Sequence, residues 1–163
     1  MDLLWKEKEK LDRKIPGNYD RFEHLLLHIF SCFNFTTLNV APLQMPCVDI
    51  VWFHPEFLDL FIIGCTTGTL QDDLVKMDSL VKKMQLKVPE IFRKCSVTPI
   101  VASSEVGNIH PSVEKYAAQN SIVIMQSEDV DKLLEMLITN RTSREVIEYI
   151  KSLKEEQSSL PSA

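Results

Sequence analysis

Glycine is scarce in this chain. The 163 residues contain four, Gly17, Gly64, Gly68 and Gly107, and no Gly-rich run. A loop that cradles phosphates needs clustered glycines so that several backbone amides can approach the ligand, so a nucleotide-binding loop is not expected. Cysteine is also sparse. Cys32, Cys47, Cys65 and Cys95 form no C-x-x-C pair and have no histidine at zinc-finger spacing. Each lies in or beside an apolar segment, which suits reduced structural thiols in an intracellular protein. No apolar run approaches the roughly 20 residues of a membrane span. Residues 1–14 carry charges of both signs with no apolar stretch, unlike a signal peptide. Excess positive charge is missing too: 18 basic against 23 acidic side chains leave a net charge of −5, with no global attraction to nucleic acid or anionic lipid. No internal repeat or low-complexity tract is present. A cytoplasmic, soluble protein without membrane partners is expected.

What is present is a 45% hydrophobic chain, enough for one well-buried core. Residues 2–14 read as a charged helix closed by Ile15-Pro16-Gly17. Asn18 can cap a second helix, whose stripe Phe22, Leu25, Leu26, Ile29, Phe30 and Phe33 repeats every 3.6 residues. Strands are expected over 35–40, 47–53 and 57–65, with a turn at 41–46 and a hairpin turn at His54-Pro55-Glu56. The rhythm then becomes alternating. A helix over 70–84 is capped by Thr69, with Asp72 and Asp73 at its positive end. A strand at 97–103 carries Pro99, which argues for an edge or for a first part outside the ladder. A helix from His110-Pro111 to Gln119, a buried strand at 122–125, a helix to Ile138 capped by Ser127-Glu128-Asp129, and a last helix opened by the capping box Thr142-x-x-Glu145 complete the order. Residues 157–163 read as a frayed tail.

This α–β–β–β–α–β–α–β–α order resembles the restriction-endonuclease-like family, the PD-(D/E)xK nucleases, over residues 19–138. Cys47-Val-Asp-Ile-Val-Trp-Phe53 followed by Phe57-Leu-Asp-Leu-Phe-Ile-Ile-Gly-Cys-Thr-Thr-Gly68 matches the two adjacent strands of that core. Thr67 to Lys76 resembles the turn into the helix behind the catalytic strand, and Ser121 to Leu134 the closing strand and helix. The resemblance implies a single α/β domain with a mixed central sheet flanked by helices. It places Glu23 at the first-helix acid and Asp49 at the metal-binding aspartate. Gly64 then falls where a second metal-binding carboxylate belongs, and Thr66 where the lysine belongs, so the signature Glu-x-Lys reads Gly64-Cys65-Thr66.

Mg²⁺ prefers hard oxygen ligands, usually one or two carboxylates with water and phosphate oxygen. The metal acidifies its water and stabilises developing charge, and a neighbouring lysine assists. Strand alternation puts positions 64 and 66 on one face, where Gly64 has no oxygen and Thr66 only a neutral hydroxyl. The implied protein is a catalytically degenerate nuclease-fold domain acting as a binding or assembly module, with no cofactor. The enzyme alternative is an Mg²⁺- or Mn²⁺-dependent nuclease using Asp49 with groups migrated to the following helix, namely Asp72, Asp73 and Lys76; Asp72 and Lys76 share a face at a spacing of four. A third alternative is a small-ligand sensor or oligomerisation domain without a nucleic-acid role.

Other residues are read as follows. Residues 76–94 hold six bases (Lys76, Lys82, Lys83, Lys87, Arg93, Lys94) against Asp78 and Glu90, a patch able to meet phosphates. Lys76, Lys82, Lys83 and Lys87 are its nucleic-acid-binding candidates. His24 and His28 are four apart but lack the H-E-x-x-H pattern and a third ligand, so they read as rim residues. His54 and His110 precede prolines and read as turn residues, and Cys65 as a buried thiol. Leu3, Leu4, Trp5, Ile147, Tyr149 and Ile150 are candidates for an apolar assembly patch on the terminal helices, in a homo-oligomer or larger assembly. The domain plan is a charged helix at 1–17, the core at 18–140, and a helix with a frayed tail at 141–163.

Overall fold

The apolar stripe of the first long helix faces a sheet. In the computed structural model, which describes residues 19–37, 50–66, 69–103 and 109–159, helix α1 (Tyr19–Cys32) buries Phe22, Leu25, Leu26, Ile29 and Phe30, and Phe33 follows just past its end. The expected helix at 1–17, the turn at 41–46, the strand start at 47–49 and the tail at 160–163 lie outside the described residues.

Three strands follow: β1 (Thr36–Thr37), β2 (Ile50–His54) and β3 (Asp59–Thr66). They pair antiparallel in sequence order, with Ile50 opposite Ile63 and His54 opposite Asp59. Helix α2 (Leu70–Lys87) and a short α3 (Pro89–Lys94) then carry the chain over to β4 (Ser96–Ser103), which runs parallel to β3. Helix α4 (Pro111–Gln119) leads to β5 (Val123–Met125), parallel to β4; α5 (Ser127–Ile138) and α6 (Ser143–Ser158) complete the order. The result is a single α/β domain with a five-stranded mixed sheet in the order β1-β2-β3-β4-β5, flanked by helices. It has the expected order of elements plus α3. That addition is intelligible locally: Pro89 pre-sets the first turn, Glu90 lies at the positive end, and Arg93 and Lys94 lie at the negative end.

Alternation along the strands divides the core in two. Phe61, Ile63 and Cys65 of β3 join Ile50, Trp52, Ile100, Ala102, Val123 and Met125 under α1, α5 and α6. Leu60 and Ile62 join Val51, Val101 and Ile124 under α2 and α4. With β3 buried along its whole length, it reads as a continuous apolar run.

Several local expectations need correction. Pro99 is not in an edge strand: β4 lies between β3 and β5, and Pro99 pairs with Ile62. It is tolerated because β5 begins only opposite Ile100, so at Pro99 the strand has a ladder partner on one side alone. Thr69 holds the N-cap position of α2 without a side-chain hydrogen bond. The cap of α5 is Gln126, whose backbone N–H donates to Asp129 Oδ2 at 2.8 Å. His54 is the last residue of β2, not part of the turn; it is 5% exposed and stacks on Phe57 at 4.6 Å. The capping box of α6 is as read: the Thr142 N–H donates to Glu145 and the Glu145 N–H to the Thr142 hydroxyl. Those bonds, the backbone one first and then those from Arg141 and the Thr142 hydroxyl, hold the Glu145 carboxyl below the usual carboxylate range.

Helix α6 offers no apolar assembly patch at the proposed positions. Ile147 and Ile150 are buried beside Val146 and Leu153 in the α1–α5 cluster, and Tyr149 is half-buried with its hydroxyl donating to Asp129 at 2.8 Å. Burial comes first in holding the Tyr149 hydroxyl in its protonated form, with Asp129 adding to it. Lys151 also ties the helix to the sheet through a 2.7 Å ion pair with the buried carboxylate of Asp59.

Candidate functional site

Two of the positions that the nuclease resemblance singles out, Gly64 and Thr66, lie at the carboxyl end of β3. Gly64 and Thr66 continue the face of Leu60 and Ile62, turned toward α2 and α4. Gly64 pairs with Val101 and Thr66 with Ser103 across the parallel β3–β4 ladder. Thr66 is 2% exposed and Ser103 5%. Ser127 opens α5 just beyond β5 and is equally buried. Three buried hydroxyls therefore stand at the carboxyl edge of the parallel strands, and each is already engaged with a partner. The sequence reading missed Ser103 and Ser127; the signal available was a hydroxyl residue ending or following each parallel strand.

This edge is also where the connections part. The helix after β4 lies over the Leu60–Ile62 face, while the helix after β5 lies over the opposite face.

The remaining candidates are more scattered. Glu23 is partly buried in α1 and already engaged. Asp49 lies outside the described residues; the described β2–β3 ladder begins one residue later, with Ile50 opposite Ile63. Asp72 is exposed and Asp73 partly buried in the first turn of α2. Lys76 pairs with Asp73, three residues away, at 2.7 Å. Among the described residues no group of three His, Cys, Asp or Glu side chains could hold a metal ion. Positions 64 and 66 supply neither a carboxylate nor a cation, so the described part of this face does not fit a two-carboxylate Mg²⁺ site.

The basic patch is partly neutralised by its own helices. Lys82 pairs with Asp78 at 2.7 Å, and the hydrogen bond that its ammonium donates to that carboxylate raises the Lys82 pKa above its usual range. Tyr116 of α4 donates to the same carboxylate at 3.4 Å, which joins α4 to α2. Arg93 pairs with Glu90 at 2.8 Å. Lys83, Lys87 and Lys94 are exposed and have no ion-pair partner among the described residues. Lys83 and Lys87 are four apart and project from one side of α2.

Three antiparallel strands followed by two parallel crossovers define a mixed-sheet α/β domain. Among solved structures the chain is similar to the small subunit (R.BspD6I2) of the heterodimeric restriction endonuclease R.BspD6I, with a TM-score of 0.49 and 11% identity over 96% of this chain and 99% of that one. No protein-family model and no curated protein matches the chain. Among the described residues no helix is long and apolar enough to cross a membrane.

Proposed function

We propose that the chain is a nuclease-fold domain without the catalytic tripeptide, serving as a binding or assembly module that meets nucleic-acid phosphates through the outer side of α2. The observation that carries this reading is the chemistry at the end of β3. Gly64 and a buried Thr66 occupy the face where the resemblance calls for a carboxylate and a lysine. A glycine cannot ligate through a side chain, and a buried neutral hydroxyl neither binds Mg²⁺ well nor supplies positive charge. Lys83 and Lys87, with Lys94 beyond them, are the cations left to contact a phosphate backbone, because Lys76 and Lys82 already face carboxylates.

Fluorescence anisotropy with labelled single- and double-stranded DNA and RNA across a salt series tests this. Binding is expected at low salt. The K83A/K87A double variant is expected to lower the slope of log affinity against log salt by about 1.4 to 1.8, two phosphate contacts' worth. No binding at low salt, or an unchanged slope in the double variant, would remove the nucleic-acid role.

The enzyme alternative draws Asp72, Asp73 and Lys76 from α2 and is favoured by one observation, the direct Asp73–Lys76 contact at the start of the helix behind β3. The same contact also has a purely structural function, since it neutralises an acid in the first turn.

A further inference from the structure

The solvent face of α1 carries His24 and His28. Both are exposed, on the opposite side from the Phe22, Leu25, Leu26 and Ile29 stripe that packs on the sheet. Four residues is slightly more than one helical turn, so the two side chains start about 5–6 Å apart at Cβ and project side by side. Neither imidazole has a hydrogen bond, ion pair or ring contact among the described residues. Cys32, one turn further on the same face, is also exposed and is a free thiol. The sequence spacing is thus His, His, Cys at successive intervals of four.

We propose that this face is a two-donor site for a borderline-soft divalent cation such as Zn²⁺, held by the imidazoles of His24 and His28, with water completing the coordination. In H-E-x-x-H sites two histidines four apart bind zinc together with a further protein ligand, because one turn brings two ring nitrogens to a common ion; here water would take the place of that further ligand. Cys32 does not act as a third ligand. Positions 24 and 32 are separated by about 12 Å along the axis, too far for one ion with ligand bonds of about 2.0 to 2.3 Å. The nitrogen donors select against Mg²⁺, which favours oxygen, so the site is distinct from any carboxylate site at the sheet. Open coordination positions face solvent, and no buried contact has to break for the ion to enter.

Isothermal titration of the full chain with Zn²⁺ tests the proposal, using wild type, H24A, H28A, the double variant and C32S. Wild type is expected to bind Zn²⁺ and to gain thermal stability from it, because a ligand that binds only the folded state raises the melting midpoint. Each histidine variant is expected to weaken binding by roughly tenfold or more. C32S should retain binding, and Mg²⁺ should produce neither heat nor a shift in midpoint. Alanine is the best helix former, so the variants keep α1, and melting without metal checks this. Zn²⁺ binding unchanged in the double variant would overturn the proposal. So would its loss in C32S alone, or the absence of both heat and thermal shift in the wild type.

Discussion

Leu58 has φ of 53° at the last position of the turn between β2 and β3, and its side chain is 47% exposed. A branched side chain in the left-handed region costs roughly 1–2 kcal/mol, and this one recovers little by burial. Its carbonyl accepts from the Ser96 N–H at 2.9 Å, which fixes the turn against the start of β4. Asparagine tolerates the same backbone, so L58N is expected to stabilise the fold by about 0.5–1 kcal/mol. Urea unfolding would read this as a higher midpoint at constant slope; a lower midpoint would mean that the Leu58 side chain contributes packing. Nearby, Trp52 Nε1 and His54 Nδ1 are buried without a hydrogen-bond partner among the described residues. Their rings are nonetheless well packed, with Trp52 stacked on Phe30 at 5.8 Å and His54 on Phe57 at 4.6 Å. Ring packing therefore holds these residues in place despite unpaired nitrogens, each of which costs on the order of 1–3 kcal/mol.

At the scale of elements, the open edge of the sheet at β5 is closed by a single side chain. Gln157 near the end of α6 accepts from the Ile124 N–H at 3.1 Å and donates to the Ile124 carbonyl at 2.8 Å. Its amide occupies the place of a strand peptide, so the edge does not present that peptide for pairing with another chain. The expected frayed tail from Gln157 onward is thus corrected: Gln157 and Ser158 belong to α6. Q157A should cost about 1–2 kcal/mol, the worth of two net hydrogen bonds. It should also introduce concentration-dependent association visible by sedimentation velocity. A variant that stays monomeric with unchanged stability would show that the edge needs no cover. Helix α2 shows a similar economy on its outer side, where Asp73 and Asp78 neutralise Lys76 and Lys82 and leave Lys83 and Lys87 open.

Across the whole molecule, what could be read from the sequence was whatever local periodicity encodes. The α1 stripe, the buried run of β3, the acids opening α2 and the Thr142–Glu145 box each appear in the fold because each is a signal within a few residues. Features set by distant partners could not be read. Pro99 argued for an edge or for a first part outside the ladder; only strand order decides between them, and β4 is interior from Ile100 onward, where β5 pairs with it, while residues 96–99 pair with β3 alone. Ile147 and Ile150 looked like a surface patch because nothing in the local sequence says that α6 packs with α1 and α5. At the candidate site, the identities Gly64 and Thr66 were plain in the sequence. The neighbouring hydroxyls of Ser103 and Ser127 became visible only through the pairing of parallel strands and the helix that follows them.

The central proposal, that this chain does not cut nucleic acid, is tested most directly by a cleavage assay on single- and double-stranded DNA and RNA with Mg²⁺ and with Mn²⁺. Wild type, D49A and a D72A/D73A/K76A variant would be compared. The account predicts no product from any of them, at any substrate, with either metal. Cutting by the wild type that disappears in D49A would contradict it. If cutting also disappeared in the triple variant, the chemistry would lie with groups supplied by α2.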